Sequence, residues 1–86
     1  MSNKKQIADA IAKFADDNGI GRPKIAFTVI EESGRDVVLA AFDSEASQRR
    51  FQDARTNDPA PLKGLIIVTN TAVNASQHNF KTLDQV

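Results

Sequence analysis

The chain reads as a small single α+β domain, ordered helix, β-hairpin, helix, third strand, with a polar C-terminal segment. Three observations predict it. Apolar residues recur at helical spacing from Asn3 to Asp17, two β-rich segments flank Ser33-Gly34, and an apolar run, Leu65 to Val68, follows a second helical stretch.

In the first helix Ile7, Ala8, Ile11, Ala12, Phe14 and Ala15 share one side, and Lys5, Asp9, Lys13 and Asp16 occupy the other. Ser2 or Asn3 is placed to cap its start, and Asp9 and Lys13 stand four apart in the order that suits the helix dipole. Gly19 is positioned to end the helix in the left-handed conformation, and Pro23 enforces the break.

Ile25 to Glu32 and Asp36 to Phe42 are rich in β-branched and aromatic residues and read as strands. Gly34 supplies the positive φ of a tight turn, so an antiparallel pair is expected. Ile25, Phe27 and Val29 alternate with Ala26, Thr28 and Ile30, and Val37, Leu39 and Ala41 with Val38, Ala40 and Phe42, so neither face is polar.

Asp43 or Ser44 can cap a second helix reaching about Asn57, where Asp58-Pro59-Ala60-Pro61 closes it. Only Ala46, Phe51 and Ala54 are available to a core, and Glu45 to Arg49 and Arg49 to Asp53 are spaced as ion pairs. Leu65 to Thr69 is apolar on both faces and is expected inside the sheet rather than at an edge. The intervening helix is long enough for a crossover, which allows a parallel third strand. From Asn70 the chain turns polar, and residues 71–86 are expected at the periphery of a single domain spanning 1–86.

Composition bounds the function. At 86 residues the chain buries only about 60–65% of the surface its unfolded form exposes, so the core is thin. Hydrophobic residues make up 41% and charged residues 26%, an ordinary globular balance that favours neither disorder nor a membrane class. Eleven basic and eleven acidic side chains cancel, so nucleic acid would have to be held by a local patch, and copies do not repel one another. Cysteine is absent, which removes disulfides, thiolate metal sites and thiol catalysis. The start, Met1-Ser2-Asn3-Lys4-Lys5, leads into an amphipathic stretch rather than an apolar signal run, and a cytoplasmic location is expected. Asn74-Ala75-Ser76 matches a glycosylation acceptor that such a location would leave unused.

Catalytic patterns are scarce. His78 is the one histidine, without a nucleophile motif beside it. Asp16-Asp17 and Glu31-Glu32 are adjacent in sequence, and neighbours on a helix or strand point apart, so neither is a ready acid and base couple. Asp16, Asn18 and Gly19 fit three positions of a calcium loop, but Phe14 and Ile25 stand where its first and last ligands belong. Gly19-Ile20-Gly21 lacks the lysine and hydroxyl of a phosphate loop. No enzyme activity, metal or cofactor is expected.

Gly21-Arg22-Pro23-Lys24 resembles a fragment of the AT-hook core, in which a Gly-Arg-Pro unit flanked by basic residues lies in the narrow minor groove; Ile20 stands where that core has its first arginine. A simpler account is a glycine ending a helix and a proline redirecting the chain. The five phenylalanines fall mostly at core positions, not interleaved with basic residues as stacking platforms are.

Three strands apolar on both faces need more cover than one good and one poor helix provide. The chain is therefore expected to be a protein–protein interaction module, a homodimer or a regulatory partner in the style of the compact inhibitors of phages and plasmids. It would dock through a sheet face or through Glu45, Arg49, Arg50 and Asp53 of the second helix. The alternative is a nucleic-acid-binding accessory protein using Arg22, Lys24 and Arg35. A small ligand in a cleft between two copies is a third reading.

Overall fold

The computed structural model describes residues 3–30, 35–57, 59–71 and 79–86, with the backbone alone at 3, 29, 30, 35 and 36. It has the predicted order: α1 (Asn3–Asp17), β1 (Lys24–Ile30), β2 (Arg35–Phe42), α2 (Glu45–Arg55) and β3 (Ile66–Thr71). Among the described residues there are also one-turn 3-10 helices at Ala60–Leu62 and Leu83–Gln85. The radius of gyration, 12.0 Å, is that of a single folded unit of this length.

α1 buries the side its periodicity marks, with Ala8, Ile11 and Ala15 fully buried and Phe14 nearly so. Its end is a Schellman arrangement: the Ile20 N–H donates to the Ala15 carbonyl (2.8 Å) and the Gly19 N–H to the Asp16 carbonyl (3.2 Å), with Gly19 at φ +65°. This turn carries Ile20 into the core. The ion pairs on α1 differ from expectation: Lys5 meets Asp9 (3.4 Å) and Lys13 meets Asp17 (3.1 Å), instead of Asp9 meeting Lys13. Side chains tilt toward a helix's N-terminus, so each short carboxylate leans onto the longer lysine one turn before it.

β1 and β2 form the expected antiparallel pair, from Lys24 opposite Ala41 to Ile30 opposite Arg35. β3 lies parallel to β2, with Val37 opposite Ile66 and Phe42 opposite Thr71, so the order is β1-β2-β3. The inner position expected for the third strand is corrected: β3 is an edge. The hairpin already occupies one side of β2, so the crossover strand takes the remaining side, and among the described residues no strand lies beyond it. The two-faced strand in the middle is β2, where Val37, Val38, Ala40, Ala41 and Phe42 are all buried.

Both helices cover one sheet face. Val38, Ala40, Phe42 and Ile25 join the helix residues in the main core, and alternation puts Ala26, Val37, Leu39, Ala41, Ile66 and Val68 on the other face. Phe51 sits at the centre of the core, edge-on to Phe14 (centroids 5.5 Å apart) and tilted against Phe42 (5.0 Å).

α2 begins at Ser44, whose Oγ accepts from the Ser47 N–H (3.1 Å). Of its three candidate core residues Phe51 is buried, Ala54 half-buried and Ala46 exposed, a correction for Ala46. What apolar area does not supply, polar contacts do. Gln48 and Gln52 both donate to the Thr69 hydroxyl (3.2 and 2.7 Å), and the Arg55 guanidinium lies against the carbonyls of Leu65 and Ile67, both at 3.4 Å. The pairs Glu45–Arg49 and Arg49–Asp53 do not form among the described residues.

The segment expected at the periphery joins the fold where it is described. Ile25 and Lys81 exchange two backbone hydrogen bonds of 2.8 Å beside β1, and Leu83 enters the core, 4% exposed. A capping box holds that last turn, with the Thr82 N–H donating to the Gln85 side chain at 2.9 Å.

Candidate functional site

Two surfaces follow from this placement. On the sheet face away from the helices, Leu39 and Val68 are cross-strand neighbours and Ile66 stands one pleat along β3. Leu39 and Ile66 are half-buried and Val68 is 51% exposed. Ala26, Val37 and Ala41 on the same face are buried, so the shortfall of cover is narrower than the sequence suggests. Among the described side chains it is confined to a strip beside the β3 edge.

The second surface is the outer side of α2. Glu45, Arg49 and Asp53 are exposed, and their four-residue spacing sets them along one line of the helix. Arg50 is drawn away from them: its Nη2 donates to the Asn18 carbonyl (3.3 Å) at the end of α1, a cation at a helix C-terminus. α2 covers the helix side of the sheet, so this line and the apolar strip do not make one surface.

The basic residues do not converge. Arg22 clasps Asp16 in a two-pronged contact, Nε to Oδ1 at 3.0 Å and Nη2 to Oδ2 at 2.6 Å, with Asp84 at 3.6 Å from its Nη1. Lys24 is exposed at the first rung of the hairpin, and the Arg35 backbone pairs with Ile30 at the last. Six rungs separate them, roughly 20 Å along a strand, and the Arg35 side chain lies outside the described residues. His78, Glu31, Glu32 and Asn74-Ala75-Ser76 also fall outside them.

The hydrogen bond from Arg22 holds the Asp16 carboxyl below its ordinary value of 3.8, and Asp16 in turn raises the Arg22 guanidinium. A lowered carboxylate stabilises the fold above its ordinary value, and that contribution is lost as pH falls through the lowered one. Arg22→Gln should therefore move the Asp16 midpoint up to the ordinary value in a carbon-detected NMR titration. An unmoved midpoint would mean that the pair does not form in solution.

A concavity of about 350 Å³ lies between Lys4, Ile25, Phe27, Lys81 and Gln85, with Lys4 Nζ 5.4 Å from the centre of the Phe27 ring. Among the described residues no three His, Cys, Asp or Glu side chains stand together as metal ligands, and no helix is long and apolar enough to cross a membrane. The sequence signal for the apolar strip was the two-faced character of Leu65 to Thr69; what it lacked was the strand order that puts the strip at an edge. Compared with family models, curated proteins and solved structures, the chain matches none.

Proposed function

We propose that this chain is a small, non-catalytic protein–protein interaction module, a cytoplasmic regulatory or inhibitor protein of the phage or plasmid type, which docks a partner on the open face of its sheet. The observation that supports this reading is the strip of Leu39, Ile66 and Val68, apolar side chains left part-exposed beside an edge strand. Glu45, Arg49 and Asp53 on α2 offer a second, polar surface on the other side of the molecule.

Capture from a native extract tests it, with wild type and Val68→Lys side by side. Val68 is half-exposed, so lysine there leaves the core intact. The variant should lose the partner by at least about tenfold in affinity, the equivalent of one lost apolar anchor. A partner held equally by both proteins removes the sheet face from the reading.

The nucleic-acid reading has less support, because Arg22 is committed to Asp16 and Asp84 and Lys24 stands a strand's length from Arg35. It requires steep salt dependence, and no binding at about 50 mM salt disposes of it.

A further inference from the structure

The two outer edges of the sheet are not alike. Part of β1's edge is taken by Lys81. On β3, three observations show which backbone groups point away from β2. The Leu65 N–H donates to the Leu62 carbonyl (3.2 Å), the Thr71 N–H to the side chain of Asn70 (2.8 Å), and Arg55 reaches the carbonyls of Leu65 and Ile67. All are odd-numbered positions, and on a strand the N–H and C=O of one residue face the same side. The amides of Leu65 and Thr71 are thereby satisfied. Between them, among the described residues, nothing meets the N–H of Ile67 or the N–H and C=O of Thr69.

We infer that a second copy of this chain pairs at this edge, β3 antiparallel to β3 about a two-fold axis at Val68, making one continuous six-stranded sheet. The inference rests on the protein-binding reading above and supplies its partner and register. With the axis at Val68, Ile67 stands opposite Thr69 of the second copy and Thr69 opposite its Ile67, so each Ile67 N–H meets a Thr69 carbonyl and each Thr69 N–H takes the second lone pair of an Ile67 carbonyl that Arg55 also reaches. The two Val68 side chains meet at a non-hydrogen-bonded position, where Cα atoms lie about 4.5 Å apart and side chains are closest. Val68 is also the large hydrophobic side chain that the single copy leaves most open among the described residues. Shifting the axis to Thr69 would require the Thr71 N–H, which Asn70 already holds, and would set Val68 against Asn70.

Charge points to a second copy as the occupant. Ile66–Thr71 carries no charged residue and no proline, the usual devices that keep edges apart, and the chain has no net charge to hold copies off. Arg55 reaches over the edge from α2 only as far as Ile67. The contact is small, below the roughly 800 Å² per partner of a stable interface, so a dissociation constant in the micromolar range or weaker is expected.

The chain has no cysteine, so an introduced one reports without background. Val68→Cys brings two thiols to a separation that a disulfide tolerates. Under mild oxidation at high protein concentration it should cross-link at least about tenfold faster than Thr28→Cys, an exposed position on the same face of β1. Sedimentation should show a wild-type dimer whose dissociation constant rises at least about tenfold in Val68→Lys, where two like charges would oppose each other. Equal cross-linking at the two positions in a protein that does dimerise discards the β3 pairing and leaves the binding reading standing. A wild type that remains a single chain up to about 1 mM discards the second copy as partner.

Discussion

Phe51→Ala should cost about 3–5 kcal/mol, the range for emptying a fully buried aromatic site. Phe51 is fully buried and holds Phe14 of α1 and Phe42 of β2 by ring contacts, so one side chain joins both helices to the central strand. It is also the buried anchor of α2, whose other ties are the half-buried Ala54 and hydrogen bonds to the sheet from Gln48, Gln52 and Arg55. Those bonds contribute about 1 kcal/mol each at most when partly exposed, too little to seat a helix by themselves. A domain of this length has roughly 4–13 kcal/mol of stability in all, so the variant should populate the unfolded state visibly in urea titrations. Loss of less than about 1 kcal/mol would show that the three rings do not form a cluster in solution.

Leu83→Ala comes next, with an expected cost of about 2–5 kcal/mol. Leu83 is 4% exposed in the core that includes Ile11, Phe14 and Leu62, although it lies in a segment whose polar composition suggests periphery. The Thr82–Gln85 capping box fixes the turn that presents it, and the Ile25–Lys81 bridge fixes the turn's approach to the sheet. If the segment docks in this way, the substitution should also speed exchange of the Ile25 and Lys81 amides, because the bridge loses its anchor. Unchanged urea midpoint and exchange would return the segment to the periphery.

The elements were legible because each is written locally. The 3.6-residue repeat of Ile7, Ile11 and Phe14, the turn at Gly19, the cap at Ser44 and the β-rich stretches around residues 25–30 and 36–42 are short-range signals. Isolated apolar residues in polar surroundings were not legible: Ile20, Leu62 and Leu83 each enter the core from a turn, and a turn has no period to reveal its buried position. The candidate site was half legible. Its apolar residues stand out in the chain, but whether Leu39, Ile66 and Val68 are roofed depends on which strand lies at the edge. The basic residues went the other way, because Arg22 reads as a free cation until the fold brings Asp16 and Asp84 to it.

By itself the sequence determined the α+β class, the order of the elements and the helix faces, since propensity, capping and periodicity act over a few residues. Only the tertiary structure decided that β3 is an edge, that the α2 glutamines fasten onto Thr69, and that the apolar excess narrows, among the described residues, to one strip. Those outcomes depend on which distant segments meet, and strand order and side-chain pairing across 10–60 residues leave no periodic trace in the chain.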